Sequence, residues 1–342
     1  MKIMQYLYVL TSTPKDNYYE QFLLSLVSLR LLMPDAYVIL LCDSKTKNTL
    51  IDKRKEYEKY ISKVVSVKAP DTLSQVEVSR WLKTSMRRLI EGSFLFIDCD
   101  TIITEDLSSI SKLNISIGGC LDCHSLLDKH HNKKMFKENE KKLGFSSHLS
   151  NKQINSGIIF CSDTPDTHKI FDRWHELWLF SKDKNIIRDQ PSLNMAIYEN
   201  ESCFTELDGT WNCQIISNYL PFLVNAKIIH YFATKLYMYT SPYIFASEDI
   251  FNKIKEMGTI PDFVYKLLQN PKSAFVSETR IYAGEYMFAV LDSDLFKTLF
   301  FLKKLLPFIF NSLNAFFSLL KKFGKLFLIR RNKRKNAFKY YN

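Results

Sequence analysis

Glycine is scarce in this chain, with nine glycines among 342 residues, and no glycine-rich loop follows the first predicted strand. Dinucleotide-binding dehydrogenases and P-loop nucleotide hydrolases need glycines there, because their backbone approaches the phosphates closely. A long uncharged apolar run is also missing: residues 305–320, the longest such run in the C-terminal part, include Pro307, Asn311 and Asn314. These absences argue against both enzyme classes and against a membrane-spanning helix.

The seven cysteines are few, odd in number and not spaced as a disulfide framework, which favours a reducing cytosol. Residues 120–124 match the C-x-x-C-H spacing of c-type haem attachment, but haem attachment requires export, and residues 1–10 resemble a first strand more than a signal peptide. A zinc site made of Cys120, Cys123, His130 and His131 has irregular spacing. Both interpretations are therefore disfavoured.

Acidic residues are absent from residue 297 onward, where twelve Lys and Arg occur. Because the whole chain carries a net charge of +11, the first 296 residues carry about −1, and the basicity belongs to the tail. This argues against a nucleic-acid partner for the fold. The tail mixes Phe and Leu with Lys and ends in a basic run at residues 330–335, a pattern typical of binding to an anionic membrane surface. A helix packed on the fold and a nucleic-acid arm are the alternatives.

Apolar strands alternate with amphipathic helices over the first hundred residues, which predicts an α/β fold with a parallel, doubly wound sheet and right-handed crossovers. The predicted strands are residues 4–10, 37–42, 64–67 and 93–98, and the predicted helices are residues 18–32, 43–60 and 74–91. Further strands are predicted at residues 113–121, 153–160 and 227–232, and a helix at residues 165–180 in which Trp174 and Trp178 face the core. Residues 122–151 are expected to form a polar loop that contains a helix.

Two carboxylates, Asp98 and Asp100, follow the buried strand at residues 93–97. Burying two anions without a partner is costly, and the carboxyl ends of strands in α/β sheets are where ligands bind. Oxygen ligands at this position are suited to a divalent cation that clamps a diphosphate. The alternative is that these residues only cap a turn after the strand.

Several short motifs occur in order between residues 4 and 235. They are Asp16-Asn17-Tyr18, Arg80-Trp81-Leu82-Lys83, Asp98-Cys99-Asp100, Asn155-Ser156-Gly157, Asp189-Gln190, Trp211-Asn212 and Ile228-Ile229-His230. In their order and spacing they resemble glycosyltransferase family 8 and related GT-A nucleotide-sugar transferases. The resemblance implies a GT-A fold, which is a Rossmann-like, mostly parallel sheet flanked by helices, here with a helical, basic C-terminal extension. We expect the transferase domain at residues 1–240, a helical appendage at residues 241–294 and a membrane-associating tail at residues 295–342.

The resemblance also implies roles for individual residues. Asp98, Asp100 and His230 would bind Mn²⁺ or Mg²⁺, a set of ligands that suits Mn²⁺ better than Ca²⁺. Asp189 would recognise a sugar hydroxyl and Gln190 would face the anomeric carbon, although both could instead cap a helix. The residues expected to bind the donor are Thr11, Asp16, Asn17, Tyr18, Arg80, Lys83, Asp98, Cys99, Asp100 and Asn155. The family has a glycine and then a lysine after the histidine, whereas this chain has no glycine there and places Lys235 one position early.

The function that the resemblance implies is transfer of a hexose, with retention of anomeric configuration, from a nucleoside-diphosphate sugar. A UDP-sugar is the favoured donor, and a glycan or lipid-linked molecule of surface polysaccharide or lipopolysaccharide synthesis is the expected acceptor. The expected location is the cytoplasm, at the inner face of the cell membrane. A sugar-nucleotide or glycan binding protein without turnover, and an inverting transferase with a carboxylate base, are the alternatives.

Overall fold

The computed structural model describes residues 4–232, 241–276 and 285–321. The chain divides into two compact units, residues 1–285 and residues 286–342. Lys235 and the basic run at residues 330–335 lie outside the described residues. None of the helices in the described ranges combines the length and the hydrophobicity that crossing a membrane requires.

The described strands form a seven-stranded and a three-stranded sheet in the first unit. The strands are β1 (Gln5–Leu10), β2 (Tyr37–Asp43), β3 (Lys63–Val67), β4 (Phe94–Ile97), β5 (Thr101–Ile103), β6 (Ile117–Leu121), β7 (Ile154–Cys161), β8 (Phe204–Glu206), β9 (Cys213–Gln214) and β10 (Ile228–His230). The large sheet has the order β3-β2-β1-β4-β7-β6-β8, and the small sheet has the order β5-β10-β9. In the large sheet only β7 runs antiparallel to its neighbours, so the sheet is mostly parallel.

Helices of the first unit cover both faces of the large sheet. The described α-helices are α1 (Tyr18–Leu32), α2 (Ser44–Thr49), α3 (Gln75–Thr84), α4 (Met86–Leu89), α5 (Lys133–Leu143), α6 (Pro165–Asp183), α7 (Gln190–Tyr198), α8 (Leu220–Leu223), α9 (Glu248–Met257), α10 (Asp262–Leu268), α11 (Glu285–Asp292) and α12 (Asp294–Leu305), and residues 307–321 are also helical. One core lies under α1, α9 and α10, and the other lies under α3, α6 and α7. The predicted α/β class is therefore confirmed.

Every residue of β7 is buried, as expected for a strand that helices cover on both faces. The predicted core positions of Trp174 and Trp178 are also confirmed, because both side chains are fully buried. Their indole N–H groups donate to the carbonyls of Asp189 and Ile187, each at 3.0 Å. The two tryptophans thus hold the segment that leads into α7.

The single helix predicted over residues 43–60 is wrong. The Asp43 carboxylate accepts hydrogen bonds from the backbone N–H groups of Lys45 and Thr46 and starts α2, which ends at Thr49. Asp52 then takes a left-handed conformation with φ of 49°, and two 3₁₀ turns follow. This path buries Tyr57 completely, so tertiary packing overrides the helical pattern of the segment.

The carboxylate pair lies between two strands that belong to different sheets. The strand predicted at residues 93–98 is β4 of the large sheet, and the apolar residues after the pair form β5 of the small sheet. The Asp98 N–H donates to the Gly157 carbonyl of β7 at 2.8 Å, and the Tyr231 N–H donates to the Asp100 carbonyl at 3.1 Å. Residues 98–100 therefore join the two sheets and bring β4, β7 and β10 together at one edge.

Candidate active site

Asp98, Asp100 and His230 meet at this edge, and one ligand atom from each lies within 4.8 Å of the others. The Nε2 atom of His230 lies 3.2 Å from Oδ1 of Asp100, and its Nδ1 atom lies 3.1 Å from Oδ1 of Asn212. The Asn212 oxygen can only accept, so Nδ1 of His230 carries a proton, and Nε2 is the ring nitrogen that faces the Asp100 carboxylate. Burial alone would raise the pKa of Asp100, but the His230 imidazole outweighs it and lowers that pKa below its usual value.

A chain of side-chain hydrogen bonds leads from His230 to Asp122, the residue that follows β6. Asn212 donates through Nδ2 to Oδ1 of Asn155 at 2.9 Å. Asn155 in turn donates through Nδ2 to Oδ1 of Asp122 at 2.8 Å. Asp122 and Asn212 were not among the site residues predicted from the sequence. The position of Asp122 could have indicated a site residue. It directly follows β6, and the carboxyl ends of β6 and β4 lie on the same side of the sheet.

Lys83 lies between two carboxylates. Its Nζ atom is 3.2 Å from Oδ1 of Asp98 and 3.8 Å from Oδ2 of Asp189, and the residue is only 3% exposed. Arg80, one turn earlier on α3, places Nε 3.2 Å from Oδ1 of Asp189. Burial would raise the pKa of Asp189, but Lys83 and Arg80 together lower it below its usual value. For Asp98 burial is the stronger influence and raises the pKa, although Lys83 opposes it.

Asp189 and Gln190 begin α7 beside this group. The Asp189 side chain makes no capping hydrogen bond to the helix, so the capping role considered for it is not what the structure shows. The amide nitrogen of Gln190 is buried beside the Asp122 carboxylate and makes no hydrogen bond of ordinary geometry to a described residue. An amide donor in this state is suited to a ligand that enters the site.

Four of the residues predicted to bind the donor, Thr11, Asp16, Asn17 and Tyr18, follow β1. Asp16 accepts hydrogen bonds from the hydroxyl of Ser12 at 2.7 Å and from the side chain of Gln75 at 2.8 Å. These bonds outweigh burial and lower the pKa of Asp16. The buried hydroxyl of Thr11 makes no hydrogen bond within the described ranges, and Tyr18 is 39% exposed. Cys99 differs from the others, because its thiol donates to the Val9 carbonyl at 3.4 Å and its side chain packs against the core.

Asn17 connects this segment to α9, since its Oδ1 atom accepts a hydrogen bond from Nζ of Lys255 at 2.7 Å. Glu20, one turn further along α1, is 2% exposed, and its Oε2 atom makes no hydrogen bond to the described part of the chain. Burial raises the pKa of Glu20 from 4.5 to about 7, although Lys255 and Arg54 oppose the shift. The folded chain therefore binds this proton more tightly than the unfolded chain does.

We expect Glu20→Gln to stabilise the protein at about pH 8 by about 2 kcal/mol, and to have little effect near pH 4. The stability that the protonated Glu20 contributes is present below its unfolded pKa of 4.5 and is lost as the pH rises through about 7. Urea unfolding of the wild type and the variant across this range measures the difference. A difference that is the same at every pH would contradict the assignment.

Gly157 lies where the metal-ligand candidates converge. A Cβ atom at this position would be 2.5 Å from Cε1 of His230 and 2.9 Å from Oδ2 of Asp98 and Oδ1 of Asn155. Because these contacts are far below van der Waals distance, Gly157→Ala should displace the candidate ligands and lower activity by about a hundredfold.

Gly144→Ala is the matched control, because a Cβ atom there meets nothing within 4 Å, although its φ of 71° makes the change strained. This control should lose about 1 kcal/mol of stability and keep its activity. Turnover and thermal unfolding of both variants separate the two effects. Equal activities of the two variants would show that the space beside Gly157 is not part of the site.

The sequence profile of the family described as Glycosyl transferase family 8 matches residues 9–236. A comparison with curated protein sequences gives no match. The similar solved structures include the galactosyltransferase LgtC in complex with donor and acceptor sugar analogues, with 12% identity, 77% of this chain and 99% of that chain covered, and a TM-score of 0.48. Mouse xyloside xylosyltransferase 1 in its apo form has 12% identity, covers 67% of this chain and 97% of its own, and has a TM-score of 0.45.

The glycosyltransferase GlyE of Streptococcus pneumoniae TIGR4 has 14% identity, 82% of this chain and 67% of that chain covered, and a TM-score of 0.45. The family match spans about two thirds of the present chain and includes each of the motifs singled out in the sequence. The chain therefore belongs to glycosyl transferase family 8 and is a glycosyltransferase of the GT-A type.

Proposed function

We propose that this glycosyltransferase is divalent-metal dependent and transfers a hexose from a nucleoside-diphosphate sugar to a glycan or lipid-linked acceptor. The observation that carries the proposal is the position of the Asp98, Asp100 and His230 cluster next to Asp189 and its two cationic partners. The cluster of Asp98, Asp100 and His230 suits a metal ion and a diphosphate, and Asp189 suits a sugar hydroxyl. Their adjacency matches a substrate in which a diphosphate and a sugar are joined.

The donor atoms of this cluster fit Mn²⁺ or Mg²⁺, since two carboxylates and one imidazole favour such ions over softer ones. The tautomer of His230 that Asn212 selects leaves Nε2 able to bind a cation. The missing side chain at Gly157 keeps the space between His230 and Asp98 open. When bound, such an ion neutralises the negative charge that develops on the leaving nucleoside diphosphate.

The other residues of the chain would hold the donor and orient the sugar. Tyr18 and Thr11 are available to the nucleoside, and Arg80 is available to the phosphates on its exposed side. Asp189 is kept ionised by Lys83 and Arg80, so it can accept a hydrogen bond from a sugar hydroxyl. We propose that the amide of Gln190 lies against the anomeric centre and that configuration is retained. Family membership favours a UDP-sugar as donor.

The direct test is a panel of UDP- and GDP-sugars incubated with purified protein in Mn²⁺, in Mg²⁺ and in EDTA. Slow release of nucleotide from one donor, stopped by EDTA, would support the proposal and identify the sugar. NMR of the released or transferred sugar would then show which anomer forms first. Turnover that continues in EDTA would refute the metal requirement, and an inverted product would refute retention.

We further propose that the second unit brings the enzyme to an anionic membrane surface, where a lipid-linked acceptor of surface-glycan synthesis would be found. Large apolar side chains of α12 and of residues 307–321 are exposed, among them Phe308 at 81%, Phe316 at 55% and Phe317 at 57%. Lysines accompany them, including Lys303 and Lys304 in the last turn of α12. Such a segment can bury aromatic side chains at the headgroup boundary while its lysines attract anionic lipids.

Replacing Phe308, Phe316 and Phe317 together by serine should weaken binding to vesicles that contain anionic lipid by at least about tenfold, because the apolar area available for insertion is lost. Leu149→Ser is the control, since Leu149 is 65% exposed but lies in the first unit. Co-sedimentation with neutral and with anionic vesicles measures binding. Unchanged binding of the triple variant, or equal binding to both kinds of vesicle, would rule out this surface.

A further inference from the structure

A second group of metal-ligand atoms lies apart from Asp98, Asp100 and His230. It consists of Cys123, His130 and His131, each of which offers one nitrogen or sulfur atom within 4.8 Å of the other two. Cys123 and His130 are buried, and His131 is partly buried. A thiolate with two imidazoles is a ligand set typical of Zn²⁺, whereas Mn²⁺ and Mg²⁺ favour oxygen. The two clusters therefore differ in the kind of cation that they suit.

The backbone that presents Cys123 is held in an unusual conformation. Cys123 and His124 have φ angles of 50° and 53°, in the left-handed region that non-glycine residues rarely adopt. This conformation is strained for a residue with a side chain, so the surroundings must hold the turn in place. Gln214 does so from β9: its side chain accepts the Cys123 N–H at 2.9 Å and donates to the Leu121 carbonyl at 2.8 Å.

The two histidines return to this turn through a short 3₁₀ segment, Leu127–Lys129. The rings of His130 and His131 stack with their centres 4.5 Å apart, and Phe136 packs edge-on against His130 at 4.9 Å. The two imidazoles are therefore held side by side at this turn.

Asp122 supplies the neighbouring carboxylate. Its Oδ2 atom lies 3.1 Å from Nε2 of His130, while its Oδ1 atom accepts the Asn155 hydrogen bond described above. A carboxylate beside a ligand histidine is common around zinc, and Asp122 would complete the ligand set here, because Nδ1 of His130 already accepts the Asn132 N–H at 3.0 Å.

We propose that Cys123, His130 and His131 form a structural Zn²⁺ site that fixes residues 122–131 beside Asn155 of the candidate active site. The site would hold Asp122, and through it Asn155, in the position that the catalytic network requires. This inference goes beyond the transferase function, and its test does not depend on activity. Cys120, the other cysteine of the C-x-x-C spacing, does not belong to the cluster, and its thiol donates to the Asp208 carbonyl at 3.3 Å.

The test uses the full chain carrying Asp100→Asn, so that metal at the first cluster does not contribute. We expect this protein to retain one equivalent of Zn²⁺ after dialysis, measured by mass spectrometry of its metal content. Substituted Co²⁺ should give the ultraviolet charge-transfer band of a thiolate ligand. Adding Cys123→Ser should abolish the band and adding His131→Ala should lower zinc affinity at least about tenfold, whereas Cys120→Ser should change neither.

Circular dichroism of each variant establishes that it is folded before its metal content is compared. If Cys123→Ser does not fold, His131→Ala provides the comparison, because that side chain is only partly buried. Absence of the thiolate band in the Asp100→Asn protein would overturn the proposal. Equal loss of the band in Cys120→Ser and Cys123→Ser would also overturn it, since only one of these thiols belongs to the cluster.

Discussion

Asp100→Asn should lower the rate of sugar transfer by about a thousandfold while leaving the protein folded. Asp100 is the carboxylate that faces His230 at 3.2 Å, and an uncharged amide in its place binds a divalent cation weakly. The charge that develops on the departing diphosphate would then be left without compensation. Initial rates at saturating donor and Mn²⁺ measure the effect.

The matched control is Asp166→Asn, which makes the same change at an exposed position in the first turn of α6. It should keep the wild-type rate. Addition of more Mn²⁺ should recover part of the activity of Asp100→Asn if its defect is weak metal binding. If Asp100→Asn kept a rate within tenfold of the wild type at the Mn²⁺ concentration that saturates the wild type, this carboxylate would have no part in the mechanism.

Lys83→Met should lower the free energy of unfolding by about 3 kcal/mol and should also abolish transfer. The side chain is buried between Asp98 and Asp189, and its ammonium lies 4.9 Å from the centre of the Phe96 ring. Methionine fills a similar volume but leaves the buried Asp189 and the partly buried Asp98 without their shared cation. Chemical denaturation of the two proteins, both without added metal, gives the difference.

Two further variants test the cause of this loss. Lys83→Met combined with Asp189→Asn should recover about 1–2 kcal/mol, because one of the uncompensated charges is removed. Lys45→Met should cost less than about 1 kcal/mol, since the Lys45–Asp71 pair has a similar distance of 3.4 Å but its lysine is 77% exposed. If Lys83→Met and Lys45→Met cost the same, burial between carboxylates is not what makes Lys83 important.

Much of the fold was predictable because local sequence and tertiary packing agree there. The boundaries predicted for α1 match the structure, and the buried strands β1, β2 and β4 were evident as short apolar runs. The predicted helix at residues 43–60 failed because burial of Leu50 and Tyr57 required the chain to turn, and a periodic pattern does not show this. The antiparallel direction of β7 was equally hidden, since strand direction depends on connections rather than on composition.

Individual residues of the site could be predicted from the sequence, but the contacts between them could not. Spacing and resemblance found Asp98, Asp100 and His230, and the structure brings these three together. Arg80 and Lys83 were expected to bind the donor, and the structure adds that both are paired with Asp189. A contact between α3 and the start of α7 joins residues more than a hundred positions apart, so no local pattern in the sequence could reveal it.

The network through Asn212, Asn155 and Asp122 was missed for the same reason. Its members come from different elements, and each alone is an ordinary polar residue. Asparagine and aspartate are also frequent in turns and caps, which weakens any inference from their presence. Only the geometry shows that they form one path of hydrogen bonds from His230 to Asp122.

The measurement that tests the central claim most directly is calorimetric titration of the enzyme with UDP, in Mn²⁺ and in EDTA, for the wild type and Asp100→Asn. If Asp98, Asp100 and His230 hold a cation that clamps the diphosphate, the wild type should bind UDP at least about a hundredfold more tightly in Mn²⁺ than in EDTA. Asp100→Asn should lose most of that difference. Equal UDP affinity in Mn²⁺ and in EDTA for the wild type would contradict the account.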